Sequence, residues 1–460
     1  MLSLFIGFVV TAVAARMIVK NYHPQTVLLV AGLSLLTLTV FLFPEQSILY
    51  QKNKSVGWVG FDIFAFVKNS LTTQIGGIGL IIMASAGFSE YMDHIGATRA
   101  MVRACVKPLT WFKAPYLILA LGYVLGQCLH IAIPSAAGLA MLLLATLFPL
   151  MVSIGVSKPA AAAMIGLSGF MDLGPAVGTA NLAAKTSGIT PAVYFVQHQV
   201  PIAIGVMLVV APLIYFTARH FDRKAGHVVA PQTLAADDGN AKGRAPGAYA
   251  LIPLIPIVLI LVFSPLVVSS ISMDVVTAML IGAVAGMLCE LLVKRDLGVA
   301  FKGFQVFFNG VGSTFASIVS LLVCADVFAQ GLQVIGAVGY MIDMTSHAGF
   351  GVNAMSVAMT LMVCVTGVIT GSGVAAFFAF SGLAPAIAAK LGVSAVTMIL
   401  PMQLMAGMGR SISPVAGVIV AVAKAGECSP FEIVRRTALP AAFGILTMLM
   451  LNYVLNGLGH

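Results

Sequence analysis

Arg410 is the side chain whose setting says most about chemistry. The stretch 395–423 around it contains no other charge. A cation in the middle of an apolar segment is expensive and usually functional. Its planar guanidinium can hold a carboxylate through two parallel N–H bonds. The alternative is a structural partner for a buried carboxylate or for helix C-terminal carbonyls. Asp172 is the natural counter-charge, since it falls one position from the residue 239 before Arg410, an offset that recurs below. It can pair with Arg410, bind a coupling cation, or carry a proton. His130 reads first as a hydrogen-bonded core residue, but its titration near neutrality would permit proton coupling.

These residues lie at or beside four Gly-, Ser- and Pro-rich interruptions of apolar runs. Two are in the first half, 133–138 (IPSAAG) and 172–181 (DLGPAVGTAN). Two are in the second, 370–373 (TGSG) and 409–414 (GRSISP). A helix broken inside a bilayer exposes N–H and C=O groups that must be buried in protein or line a cavity. Free N–H groups and the positive end of the helix dipole suit carboxylates, and free carbonyls suit Na⁺. The competing explanation is that the small residues only allow close helix packing.

Composition determines which elements can position these groups. Of 460 residues 60% are hydrophobic and 8% charged, and mean hydropathy is +1.04. A soluble domain carries about 25% charged residues, so a soluble enzyme, a nucleic-acid binder and a disordered chain are excluded. The six cysteines show no CxxC spacing and read as small core residues. No HExxH or Walker A sequence occurs, and no His/Asp/Glu cluster has catalytic spacing. The expectation is therefore a non-enzyme with no cofactor, apart from Na⁺ or H⁺ as coupling ion.

Apolar runs fall near 2–19, 26–43, 75–92, 114–133, 139–154, 159–171, 193–217, 247–269, 272–292, 310–333, 351–369, 375–389, 395–408, 412–423 and 438–456. A spanning helix needs about 20 apolar residues, and the short runs occur in adjacent pairs, as in re-entrant hairpins and broken helices. The first run lacks a basic leading segment and reads as a retained helix starting outside. With 134–138 and 370–374 as hairpin tips, each half crosses the membrane five times. Of the 24 Lys and Arg, eighteen then share the side of the polar segment 218–246. Five lie opposite, Lys52, Lys54, Lys68, Lys185 and Lys390, and Arg410 alone is mid-membrane. Basic loops stay in the cytoplasm. This reads 218–246 as a flexible cytoplasmic linker, both termini as external, and the net charge of +9 as sorted across a bilayer, with no nucleic-acid partner.

The halves resemble each other. Phe88, 95–97 (IGA) and Met101 match Phe328, 335–337 (IGA) and Met341 at an offset of 240. Pro175, Gly178, Lys185, Pro191 and Pro201 match Pro414, Gly417, Lys424, Pro430 and Pro440 at 239. An odd number of crossings per repeat makes the second copy inverted, an architecture of secondary transporters. The fold expected is an all-α polytopic membrane protein with two inverted repeats, 1–217 and 247–460, each with five spanning helices and a re-entrant hairpin. Thr190–Pro191 and Ser429–Pro430 read as N-caps followed by a first-turn proline. Lys185 and Lys424 read as helix-end residues, Trp58 and Trp111 as interface anchors, and Glu90 and Asp326 as interfacial.

The segments 145–156 (ATLFPLMVSIGV), 331–336 (GLQVIG), 370–380 (TGSGVAAFFAF), 409–423 (GRSISPVAGVIVAVA) and 429–436 (SPFEIVRR) give the chain a resemblance to the DcuC family of four-carbon dicarboxylate carriers, in the wider ion transporter superfamily. The resemblance covers nearly the whole chain. It implies a multi-pass protein of the bacterial inner membrane that exchanges fumarate and succinate or exports succinate. It also implies elevator-type movement of hairpin-bearing domains against a scaffold, often in a homodimer. Carried over by position, the substrate-binding candidates are Ser135, Thr179 and Asn181, then Thr370, Gly371, Ser372, Gly373, Arg410, Ser411 and Ser413. Asp172 and His130 are the coupling-ion candidates. The other readings weighed are a carrier of another organic anion coupled to Na⁺ or H⁺, and an anion channel or exchanger.

Overall fold

The structure is a computed structural model that describes the chain except for residues 1, 21, 44–47, 49–54, 113, 229–244, 337–351 and 458–460. The described residues are helices joined by short connections, without strands. The first half holds α1 (Leu2–Val19), α2 (Pro24–Leu42), α3 (Val59–His94), α4 (Ala97–Val106), α5 (Pro115–Ala132), α6 (Ala136–Ser153), α7 (Lys158–Gly166), α8 (Gly178–Thr186) and α9 (Pro191–Lys224). The second holds α10 (Gly247–Val262), α11 (Val275–Lys294), α12 (Leu297–Val334), α13 (Val352–Thr370), α14 (Gly373–Ser381), α15 (Ala384–Lys390), α16 (Ala395–Ser411), α17 (Gly417–Ala425) and α18 (Pro430–Asn452). Among the described residues nine helices are long and apolar enough to cross a membrane, or ten if α14 and α15, bent by 46°, make one span.

Local chemistry sets the helix starts. Ser135 accepts a hydrogen bond from Gly138 N at the start of α6, and Ser372, 237 residues later, accepts one from Ala375 N in α14. Ser157 and Ser394 cap α7 and α16 in the same way, as Thr190 and Ser429 do α9 and α18 ahead of Pro191 and Pro430. π-helical turns interrupt α3 at Ile75–Gly79 and α12 at Phe315–Val319, again 240 apart.

Three expectations on element boundaries need correction. The apolar runs at 75–92 and 310–333 are the C-terminal parts of helices that start at Val59 and Leu297. Their first turns are amphipathic, with Lys68 and Lys302 exposed, so a search for continuous apolarity misses them. The linker begins later than 218, because no breaker precedes Gly226 and α9 runs on to Lys224; residues 229–244 of that segment lie outside the described residues. Arg410 and Ser411 are in the last turn of α16, and Gly178 to Asn181 in the first turn of α8, so the helix breaks themselves are shifted, to 167–177 and 412–416. The repeat matches Ala337 and Met341, and Lys52 and Lys54, also lie outside the described residues.

The helices that flank these breaks are the most buried. From Val396 to Gly409 every residue of α16 is buried, and so is Ala160 to Gly166 in α7. Such all-round apolar helices belong in the centre of a bundle. The halves pack through each other: α2 and the C-terminal part of α3 lie on α12, α9 on α18, α7 on α17, and α8 on α16.

Small residues permit the α3–α12 crossing. A Cβ on Gly310 would stand 2.8 Å from Gly87 Cα, and one on Gly87 would stand 2.6 Å from Phe307 O. Gly310→Val should destabilise the protein by about 1–3 kcal/mol through overpacking against backbone. Gly312→Ala, at a helical position with nothing within 4 Å, should not. Thermal unfolding of the purified protein checks this, and equal Tm values for the two variants would contradict the crossing.

Candidate functional site

The segment 167–177 passes through the core without regular helical hydrogen bonds, so its backbone needs partners. Side chains supply them. Gln127 Nε2 donates to Leu167 O (2.7 Å) and Ser168 O (3.0 Å). Arg410 Nη2 donates to Gly169 O (2.8 Å). Gln403 Nε2 donates to Asp172 O (3.0 Å), and Gly174 N to Gln199 Oε1 (3.2 Å). Asn181 Nδ2 donates to Pro175 O and Val177 O. Gln199 Nε2 and Tyr194 OH both donate to Gln403 Oε1, which joins α9 to α16.

Asp172 lies at the centre of this network. Its φ of +45° is in the left-handed region that side chains other than Asn and Asp rarely enter. Arg410 Nη2 reaches its Oδ1 at 2.8 Å and His130 Nε2 reaches the same oxygen at 3.2 Å, while Oδ2 is buried without a partner. The pairing of Asp172 with Arg410, one of three roles read for it in the sequence, is present. His130 is fully buried, and its other ring nitrogen faces Ile133 O at 2.9 Å. Both nitrogens thus face acceptors.

A cavity of about 390 Å³ opens in front of this pair. Ser135, Asp172, Thr179 and Arg410 line it, drawn from the first hairpin tip, both sides of the first break and the end of α16. Among the described residues, Nη2 makes both of Arg410's bonds and Nη1 and Nε make none. The start of α6 and the start of α8 (Ala136, Ala137, Gly178) also face this space.

The other predicted residues do not line the cavity. Thr370 Oγ1 bonds Thr366 O and Ser372 caps α14. Gly371, at φ +72°, and Gly373 bring the second tip against the backbones of Ala416 and Ala406. Ser413 Oγ closes onto Val368 O at 2.6 Å, Ser411 is buried, and Asn181 serves the break's own carbonyls.

One wall escaped the sequence reading. Ile82, Ser85, Ala86, Ser89, Glu90 and Asp93 of α3 all line the cavity. Their spacing of three and four residues is one helical face. That periodicity is legible in the sequence, where Glu90 reads as interfacial, as its exposure agrees, and Asp93 carries no reading. Gln127, Gln199 and Gln403 were missed too; a buried amide within an apolar run was their only signal.

Removing the guanidinium would leave Asp172 buried and unpaired. Arg410→Ala should destabilise by on the order of 3–5 kcal/mol. Adding Asp172→Asn should recover much of that loss, measured by thermal unfolding. Equal destabilisation by single and double variants would contradict the pairing.

A family profile described as "C4-dicarboxylate anaerobic carrier", DcuC, matches residues 2–456. A Vibrio cholerae protein named probable anaerobic C4-dicarboxylate transporter DcuC is 37% identical over 456 residues, covering 99% of this chain and 98% of its own. The Escherichia coli anaerobic C4-dicarboxylate transporter DcuC is 33% identical over 453 residues, with 98% and 96% covered. The fold is shared with two solved structures. One is the Alcanivorax borkumensis YdaH transporter, with TM-score 0.58 and 15% identity, covering 95% of this chain and 99% of that one. The other is Neisseria gonorrhoeae MtrF, from a class described as antimetabolite efflux pumps, with TM-score 0.57 and 13% identity, covering 94% and 95%. With nine helices among the described residues long and apolar enough to cross a membrane, the chain is a multi-pass protein of the bacterial inner membrane and a transporter, not an enzyme. It belongs to the DcuC family of C4-dicarboxylate anaerobic carriers.

Proposed function

We propose that this protein carries C4-dicarboxylates such as succinate and fumarate by alternating access, as one-for-one exchange or as efflux. The observation that carries the reading is Arg410. Its guanidinium is tied through Nη2 to Asp172 and Gly169 O, and the residue borders a cavity sized for a small organic acid. A carboxylate can accept from the guanidinium in charge-assisted bonds. Ser135, Thr179 and the starts of α6 and α8 offer hydroxyls and positive helix ends for the second carboxylate.

The proposed frame is a pair of inverted repeats moving as an elevator, in a homodimer. The recurrence of caps, π-turns and breaks at offsets of 237 to 240 supports the repeat. The cavity borders the C-terminal part of α3, next to Arg99 and Arg103 in α4. With basic loops cytoplasmic, this form is inward-facing. Asp172, with Oδ2 unpaired, and His130, with both ring nitrogens on acceptors, are the proposed coupling groups.

Reconstituted protein should exchange internal labelled succinate for external fumarate. Arg410→Lys keeps the charge that pairs with Asp172 but loses the planar fork, and should slow exchange at least about tenfold while staying folded. Wild-type exchange of monocarboxylates at the same rate, or an Arg410→Lys variant of undiminished rate, would overturn the reading.

A further inference from the structure

The short helix α4 has ten residues, Ala97–Val106, and is about 15 Å long. It lies between two helices long enough to span, α3 ending at His94 and α5 starting at Pro115. Gly96, at φ +77°, turns the chain from α3 into α4. A helix this short between two spans cannot cross the bilayer, so it lies along the membrane surface. With basic loops cytoplasmic, that surface is the inner one. The covered side of α4 includes Ala97, Ala100, Met101 and Val106, and the helix packs on 247–254 at the start of α10 and on α6.

The uncovered side is basic. Arg99, Arg103 and Lys107 are exposed and four residues apart, which sets them in one line along α4 and the turn that follows it. Like charges at this spacing repel one another and weaken a helix. Among the described residues none of the three side chains makes a hydrogen bond or an ion pair. Asp93 is within electrostatic reach of Arg99. The line ends on apolar rings, since Trp111 is 78% and Phe112 43% exposed just before α5 enters the bilayer. Such a segment meets anionic headgroups with its charges and the acyl boundary with its rings. A signal for orientation alone needs positive charge on this side of the membrane, but not on one face of a helix beside exposed aromatics. The positions 240 residues on are Gly339, Asp343 and His347, so the basic pattern is not carried over from the repeat.

We propose that α4 is a docking surface for anionic phospholipid headgroups of the cytoplasmic leaflet. Their phosphodiesters accept from Arg99, Arg103 and Lys107 and relieve the repulsion among them, while Trp111 and Phe112 rest at the acyl boundary. The surface belongs to the strap between α3 and the hairpin α5–α6, at whose tip Ser135 and Ala136 line the cavity.

Trp58→Phe leaves Trp111 as the one tryptophan of the full-length protein and makes it a reporter. In phosphatidylcholine bilayers, acyl-brominated phosphatidylglycerol should quench Trp111 at a mole fraction at least about fivefold lower than equally brominated phosphatidylcholine. One basic residue near an anionic surface supplies about that factor. Raising salt to about 1 M should narrow the gap. On the same background, Arg99→Gln/Arg103→Gln/Lys107→Gln should bring the two curves together. Arg99→Lys/Arg103→Lys should keep the gap, because charge is retained. Arg16→Gln/Lys20→Gln should keep it too, because these cations stand at the end of α1, which packs on α2 and α13. Monodisperse elution of each variant reports folding. Coincident curves in the Trp58→Phe protein, or a gap that survives in the folded triple variant, overturns the proposal. Equal loss of the gap in the α1 variant does so as well, by making the preference a property of the whole basic face.

Discussion

The structure turns on a buried ion pair between its two halves. Arg410 comes from the end of α16 and Asp172 from the break before α8, and they meet at 2.8 Å with side chains 13% and 3% exposed. Neither charge is tolerable alone at that depth. The pair therefore makes each half a condition for the other. It also holds a residue at φ +45° and accounts for one carbonyl of the irregular segment, Gly169 O. Three glutamines and Asn181 serve six more of its backbone groups. An interruption that would be prohibitive in lipid becomes a rigid cavity wall.

The helical frame is close to regular, and the chemistry on it is not. Caps at Ser135 and Ser372, at Ser157 and Ser394, and at Thr190 and Ser429 start helices at offsets of 237 to 239 in the two halves. The charged groups at the cavity have no such equivalents. Arg410 belongs to the second half, while Asp172, His130, Glu90 and Asp93 belong to the first. A dianion entering the cavity meets a donor on one side and acids on the other.

The parts legible in the sequence were those where a residue type is costly in its surroundings. One Arg in 395–423, Pro and Gly inside apolar runs, and Ser or Thr before Pro all point to specific backbone events, and the breaks and caps are found there. The fold class followed from composition, because the spans are set by a length and an apolarity. The N-terminal parts of α3 and α12 were missed because amphipathic turns carry Lys68 and Lys302 on their exposed faces. Glu90, exposed near the end of α3, also lines the cavity, which nearness to the end of an apolar run does not foretell. The second-half candidates near 370–373 are hydroxyls and glycines whose spacing equally serves capping and close packing, and in the structure those are the contacts they make.

The account's central claim is that Arg410 serves two partners at once, Asp172 within the protein and a guest carboxylate in the cavity. An experimentally determined structure of the protein in lipid nanodiscs with saturating succinate tests this most directly. The account predicts density for the ligand between Arg410, Ser135 and Thr179, with the Asp172 contact retained. Ligand density elsewhere, with the free edge of the guanidinium unoccupied, would contradict it.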